Sequence, residues 1–369
     1  MEFTFDTEQI ALRDAVRGLL RSRDDVPADQ GFDPAMWTKL AAMGVLGLPF
    51  SEDVGGMGAG PIEVMIVAQE LGRVLAPEPY VDSVVLAGGL IAAAGSDEQH
   101  ATLLAALAEG ESQPILAHAE PRTRWGTDAY GVVATSTTDG WTIDGTKEPV
   151  LYGDSATVLL VSALVGEQTK LFVVDPDEPG VTRTAYATHD GRRVARITFT
   201  KAAATPLGDA PADSSVLKDA FAQATIALCA EALGAMEVAL DTTVGYLKTR
   251  KQFGVPLSKF QALTHRAADM YVSLELARSV VQYGAMCLAE GVEDPLVASR
   301  VKLQVSRSAR HIGQEAIQLH GGIGMTDEYT IGHYTNRLTA MEHSLGDATF
   351  HRARLAQGLD QREIVDLLG

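Results

Sequence analysis

The chain has 369 residues, of which 46% are apolar, and it carries a formal net charge of −18. This length allows two or three domains with a large core. The excess of acid disfavours a general nucleic-acid-binding role, because phosphate contacts need Lys and Arg spread over a surface.

Neither an uncharged apolar run of membrane-spanning length nor a signal-peptide pattern is present in the sequence. The first residues, MEFTFDTEQIALRD, lack the basic start and apolar stretch of a secretory signal. We therefore expect a cytoplasmic protein without a membrane span.

Residues 1–112 show apolar residues at helical spacing. EQIALRDAVRGLL and PIEVMIVAQELGRVL are the clearest segments, and the Gly-rich stretch EDVGGMGAG before the second is typical of a loop. This part is predicted to be an N-terminal helical domain.

Residues 113–205 change to short, alternating or β-branched runs. The runs are GVVATST, GWTIDG, TVLLVSAL, TKLFVVD and VARITFT, separated by Asp-Gly, Gly-Asp and Pro-Gly turn signals. A central β domain, built as a barrel or a sandwich, is predicted here.

Residues 206–369 return to helical periodicity in long, Ala-rich segments, which pack closely when they form a bundle. The predicted fold class is therefore α+β, with a helical bundle as the last domain. Cys229 and Cys287 lie in these helical segments. Two cysteines without suitably spaced histidines indicate buried thiols, not a disulfide framework or a metal site.

Two motifs mark the ends of long helices in the last domain, TRKQFG at 249–254 and QLHGGIGMTDEY at 318–329. Together with the helical, β, helical order and the N-terminal segment GLPFSEDVGGMGAGPIEVMIVAQELGR, they make the whole chain resemble the acyl-CoA dehydrogenase family. The resemblance implies an FAD enzyme that removes two hydrogens from the α and β carbons of an acyl-CoA. It also implies a carboxylate base and an electron-transferring flavoprotein or similar carrier as acceptor.

The resemblance assigns one group of residues to the ADP half of FAD, held across a subunit interface. A guanidinium pairs with pyrophosphate oxygens, and glycines let backbone N–H groups approach a phosphate. The alternative is a solvated helix end and a glycine C-cap. The matching residues are Arg250, Gln252, Phe253, Gln261, Gln318, Gly321 and Gly322.

The half of the site that would hold the flavin ring departs from the family pattern. A TEPxAGSD-like loop is replaced by LAHAEPRTRWG (116–126), in which Glu120 and Pro121 remain but Ala119 precedes them. A Trp-containing strand is replaced by EPVLYGDSA (148–156), with Val150, Leu151 and Tyr152 near the expected ring position. Apolar side chains cannot donate hydrogen bonds to a flavin, so this half is expected to bind the ring poorly.

The usual catalytic Glu is also missing. In HSLGDATFHRARL (343–355), Gly346 stands at its place and Asp347 follows. The alternative base position of the family falls near Ala224 or Thr225. Asp347 is a candidate for a displaced base, although a one-residue shift rotates a side chain away, and an N-cap is the alternative role for this Asp.

Three functions are consistent with this pattern. The first is the small subunit of a heteromeric acyl-CoA dehydrogenase, similar to the subunits named for pimeloyl-CoA dehydrogenase and to pairs that act on steroid side-chain CoA esters. This chain would complete the FAD site of a related large subunit in a heterotetramer. The second is a self-sufficient homo-oligomer with Asp347 as base, and the third is a flavin-free relative that acts as a scaffold. The acyl group stays open.

Overall fold

The computed structural model describes residues 4–21, 32–138 and 140–359. Over these ranges helices occur at both ends of the chain and a β-sheet lies between them, so the predicted α+β class and the order of its parts are confirmed. The outer limits of the first and last predicted domains, residues 1 and 369, lie outside the described residues.

The N-terminal helices begin at polar caps. The Asp6 side chain accepts a hydrogen bond from the backbone N–H of Gln9, and Asp33 accepts one from Ala35. The segments are α1 (Thr7–Leu20), α2 (Pro34–Ala42), α3 (Pro61–Arg73), a π-helical turn (Tyr80–Gly88) that continues as α4 (Gly89–Ala94), α5 (Asp97–Gln99), a second π-helical turn (His100–Leu104) and α6 (Ala105–Ala108).

The central strands form one eight-stranded sheet that closes on itself through the pairings β4–β2, β2–β3, β3–β7, β7–β5 and β5–β4. This closure makes a barrel, with its own apolar core. The strands are β1 (Pro114–Ala117), β2 (Val133–Thr137), β3 (Gly140–Leu151), β4 (Val158–Val165), β5 (Gln168–Val174), β6 (Val181–Ala187), β7 (Arg193–Pro206) and β8 (Ala212–Asp213).

The C-terminal part is a bundle of long helices with a small hairpin between the first two. Both cysteines are free and buried in these helices, as predicted. The elements are α7 (Ser215–Thr249), β9 (Lys251–Gln252), β10 (Val255–Pro256), α8 (Gln261–Ala289), α9 (Val297–His320), α10 (Ile331–His343) and α11 (Ala348–Gln357).

The two helical parts share one core because α3 and α7 cross at glycines. A Cβ added at Gly72 would lie 1.9 Å from the carbonyl oxygen of Glu231, and one at Gly234 would lie 1.9 Å from that of Gln69. By length and composition α7 could also cross a membrane, but 89% of its most apolar window is buried inside the protein. Its apolar character is therefore explained by its place in the core.

Candidate functional site

The end of α7 presents a cation and an exposed aromatic turn. Arg250 is the C-cap residue of α7 and is exposed. The strands β9 and β10 then pair around a two-residue turn, Phe253-Gly254, with φ of 53° and 83°. Two positive φ values are typical of a type I′ hairpin turn, which a Phe adopts at some conformational cost. The Phe253 ring lies 6.1 Å from that of Phe260 in an edge-on arrangement, yet its side chain is 92% exposed, so little of it is covered within this chain.

The end of α9 lies beside the end of α7. The rings of Tyr246, one turn before the end of α7, and His320, the last residue of α9, are 4.5 Å apart. Gln318 is exposed, and a Cβ added at Gly321 or Gly322 would meet nothing within 4 Å. The structure therefore brings the two predicted motifs together and leaves the glycine backbone open.

The chemistry of these groups fits the ADP half of FAD. Arg250 makes no ion pair with any residue that the structure describes, and the Gln318 side chain has no hydrogen bond there. Within the described part of the chain, the Gln252 amide donates to the neighbouring carbonyl oxygen of Lys251. Gln261 begins α8 with an exposed side chain. An exposed guanidinium, exposed amides and open glycines suit a pyrophosphate. Their individual roles stay predictions.

Glu120, in the loop of residues 116–126 expected near the flavin ring, is hydrogen-bonded within the barrel. Its carboxylate accepts hydrogen bonds from Lys147 Nζ at 2.7 Å and from the backbone N–H groups of Tyr130 and Gly131. Lys147 Nζ also donates to the His118 carbonyl oxygen at 2.9 Å. Burial lowers the pKa of the Lys147 ammonium to about 8. This arrangement stabilises the loop.

The rest of that loop packs against the bundle. Trp125 Nε1 donates to the carbonyl oxygen of His343, at the end of α10, over 3.0 Å. The Trp125 ring lies 5.8 Å from that of Phe350 in α11, and the Arg124 guanidinium lies 5.7 Å from the Trp125 ring. Where the family places small and hydroxyl residues, this chain therefore has a bulky contact between domains.

The position expected to adjoin the flavin ring is filled by a buried polar network, which sequence reasoning missed. Tyr152 is buried, and its hydroxyl oxygen accepts a hydrogen bond from the Arg192 guanidinium. The Glu231 carboxylate of α7 accepts hydrogen bonds from Arg192 at 3.2 Å and from Arg337 of α10 at 2.9 Å. Arg337 also pairs with Asp190 at 3.1 Å. The network joins the barrel to the bundle.

The electrostatics of this junction favour charged arginines. Burial alone would lower the pKa of Arg337, but the interactions with Glu231, Tyr152 and Asp190 together outweigh burial, so this pKa is raised. Asp82, from the first π-helical turn, lies near Arg337, and burial raises its pKa to about 6. Tyr152 and its partners occupy the junction, and the hydroxyl of Thr123 in the loop donates a hydrogen bond to the Glu120 carbonyl oxygen. The residues present therefore do not fit the ring half of a flavin.

Asp347 is the N-cap of α11. Its Oδ1 accepts a hydrogen bond from the Phe350 backbone N–H at 2.7 Å. Gly346, at the place of the usual Glu, has φ of 105°, and a Cβ there would lie 2.5 Å from His351 Nε2. The chain therefore has no room for a Glu at 346 without movement of His351. The role of Asp347 as a base stays a prediction.

In the three described ranges, no group of three or more His, Cys, Asp or Glu side chains could hold a metal ion.

Comparison with known proteins assigns the family. Residues 6–111 match the family model "Acyl-CoA dehydrogenase, N-terminal domain", and residues 214–359 match "Acyl-CoA dehydrogenase, C-terminal domain". A relative, Acyl-CoA dehydrogenase IpdE2 of Mycobacterium tuberculosis, is 32% identical over 341 residues, which cover 89% of this chain and 90% of the relative.

Solved structures agree. One, a variant of the Tcur3481-Tcur3483 steroid ACAD, has a TM-score of 0.85 and 30% identity, over 96% of this chain and 98% of that one. Another, the ChsE4-ChsE5 complex from Mycobacterium tuberculosis, has a TM-score of 0.88 and 28% identity, over 99% and 100% of the two chains. With both terminal domains and most of the chain matched, this protein belongs to the acyl-CoA dehydrogenase family, whose members are FAD-dependent oxidoreductases.

Proposed function

We propose that this chain is the small subunit of a heteromeric acyl-CoA dehydrogenase. It contributes the ADP-binding half of an FAD site to a related large subunit, and that subunit contributes the ring-binding half and the catalytic base. A flavin held there would supply the acceptor for a hydride from the acyl group. This chain's own part is to hold the pyrophosphate and adenosine end.

One observation carries the proposal, the contrast between the two halves of the site. At the ADP side, Arg250, Gln318 and Gly322 are exposed and free to bind a ligand. At the ring side, Tyr152 and Trp125 are both engaged in contacts within the chain. A chain selected to bind a whole flavin alone would need both sides open.

The exposed apolar residues at the ADP side support a partner subunit. Phe253 is 92% and Met325 80% exposed, and Ile323 is also exposed, all on the segments that follow α7 and α9. Clustered large apolar side chains in water are typical of an interaction surface. The partner's barrel domain would cover them, in a heterotetramer built as two such pairs.

The substrate is proposed to be an acyl-CoA thioester, and the electron acceptor an electron-transferring flavoprotein or a similar carrier. One structural neighbour is described as a steroid ACAD and another as a complex of two proteins. The first neighbour favours a steroid side-chain or related bulky acyl group over the pimeloyl group of the small subunits that the sequence resembles.

Two other functions make different predictions. A self-sufficient homo-oligomer would use Asp347 as base, but the cap hydrogen bond to Phe350 already engages that carboxylate. A flavin-free scaffold would retain the helix faces for packing against a partner, but it would not need an exposed Arg250 available to bind an anion.

The test is reconstitution with a candidate partner, a related chain with an intact TEPxAGSD loop and a catalytic Glu. Size-exclusion chromatography with light scattering gives the assembly, while absorbance in the flavin band gives FAD content. We expect this chain alone to be colourless, and the mixture to be a yellow heterotetramer that acyl-CoA bleaches.

Each alternative has its own outcome. A homo-oligomer of this chain that is fully flavinated and bleached by acyl-CoA would refute the division of the site and favour the second function. A heteromer that forms without FAD would favour the scaffold.

A further inference from the structure

A cavity of about 350 Å³ lies between the N-terminal helices and the bundle, apart from the residues discussed above. Its inner wall includes Phe50, Met65 and Val84, all buried. Its mouth includes Gly89, Ala92 and the exposed amide of Gln223. The cavity is therefore apolar inside and open at one end.

The walls indicate the polarity of what would bind. Among the described residues that line the cavity, none is charged, and Gln223 is the one with a polar side chain. An ionised group would be costly to bury here without a partner. The Gln223 amide, which can both donate and accept hydrogen bonds, suits a neutral polar head at the mouth.

The size of the cavity and the small residues at its mouth allow an alkyl chain to enter. An engineered apolar cavity of about 150 Å³ binds benzene, and this one is more than twice as large. Gly89 and Ala92 lie one turn apart on α4 and project no atoms beyond Cβ. A Cβ added at Gly89 would meet nothing within 4 Å, so there is free space at the mouth through which a chain can pass.

We propose that this cavity is a second ligand site, which binds the alkyl chain of a neutral, single-headed lipid with its head at Gln223. The site is independent of the ADP side. Ala227, which lines the cavity, and Arg250, at the far end of α7, are separated by about 35 Å along the helix at 1.5 Å per residue. Neither FAD nor a partner subunit is needed to form it.

The test uses the purified full-length chain and isothermal titration calorimetry with decan-1-ol as probe. We expect saturable binding of one decanol per chain, with a negative heat-capacity change from burial of apolar surface. Decanedioate, which carries a carboxylate at each end, should bind at least about tenfold more weakly because no cation lines the cavity.

The variant Gly89→Leu fills the mouth from a position where the added side chain has space. It should weaken decanol binding at least about tenfold without lowering the melting temperature. The matched control is Gly18→Leu. Gly18 is also a helical glycine with nothing within 4 Å of an added Cβ, but it lies on α1, outside the cavity lining. This control should bind decanol like the wild type.

Three results would each overturn the proposal: no saturable decanol binding by the wild type, equal affinity in Gly89→Leu, or decanedioate bound as tightly as decanol. Because the assay contains no flavin, acyl-CoA or partner, its outcome does not depend on the proposed subunit function. Added FAD should leave decanol binding unchanged, and displacement by FAD would also contradict the site.

Discussion

Replacement of Glu231 by Gln should strongly destabilise the folded chain, because it removes the acid from a buried network. Oε1 of Glu231 accepts hydrogen bonds from Arg192 at 3.2 Å and from two nitrogens of Arg337 at 3.2 and 2.9 Å. The side chains are 6–10% exposed. Breaking a buried ion pair costs about 3–5 kcal/mol. Arg337 keeps Asp190 and Arg192 keeps Tyr152, so we expect about 3 kcal/mol, the lower end of that range.

The assay is equilibrium unfolding in urea, monitored by tryptophan fluorescence. Asp177→Asn is the control, since Asp177 pairs with Arg183 but has an 82% exposed side chain. Loss of this exposed ion pair should lower the free energy of unfolding by less than about 1 kcal/mol. The double variant Glu231→Gln/Arg192→Gln restores the charge balance. It should be less destabilised than the sum of the single variants by about 1–2 kcal/mol. Additive effects, or a Glu231→Gln loss as small as that of Asp177→Asn, would refute the reasoning.

Three further predictions concern single side chains. Arg250→Ala should remove a charge-assisted contact of about 1.5–3 kcal/mol and lower FAD occupancy of the assembly about tenfold or more at limiting flavin. Lys218→Ala, at the other end of α7, is the charge-matched control. Equal flavin content in the Arg250→Ala and Lys218→Ala assemblies would show that Arg250 does not bind FAD. Asp347→Asn should leave activity of the assembly within a few-fold, because Asn caps a helix as well as Asp does; loss of flavin bleaching by acyl-CoA would instead identify a base. His351→Gln should flatten the acid sensitivity of folding. Burial lowers the pKa of His351 to about 4, so the unfolded chain takes up its proton first as pH falls below about 6.5, and wild-type stability should drop by about 2 kcal/mol between about pH 7.5 and pH 5 from this group. An unchanged pH dependence of the urea midpoint in the variant would contradict it.

Much of the fold could be predicted because its signals are local. Helical spacing, alternation and turn residues predicted the helices and strands. The RKQFG and QLHGG motifs, which contain Arg250 and Gln318, lie at neighbouring helix ends, as the contact between the rings of Tyr246 and His320 shows. The side-chain roles of those residues need a ligand or a partner, so no pattern within one chain settles them.

The buried network could not be predicted because its members are far apart in sequence. Arg192, Glu231 and Arg337 come from the barrel, from α7 and from α10, and nothing local indicates that they meet. One signal was available: Glu231 is an isolated acid in the apolar run ATIALCAEALGAM. A carboxylate at a core position of a helix requires a buried cation as partner, although the sequence alone does not name it.

Arginine and aromatic residues lie in contrasting environments beside the middle of α7 and at its C-terminal end. Near the middle, Arg192 and Arg337 pair with Glu231 and are buried, and Arg192 also donates to Tyr152. At the C-terminal end, Arg250 and Phe253 are exposed. A guanidinium that is buried and paired inside the chain is not accessible to a phosphate, and an aromatic ring packed inside cannot contact a partner. The proposed division of the FAD site between two subunits is consistent with this contrast, because of the two halves of that site the ADP side is the one whose arginine and aromatic ring are exposed.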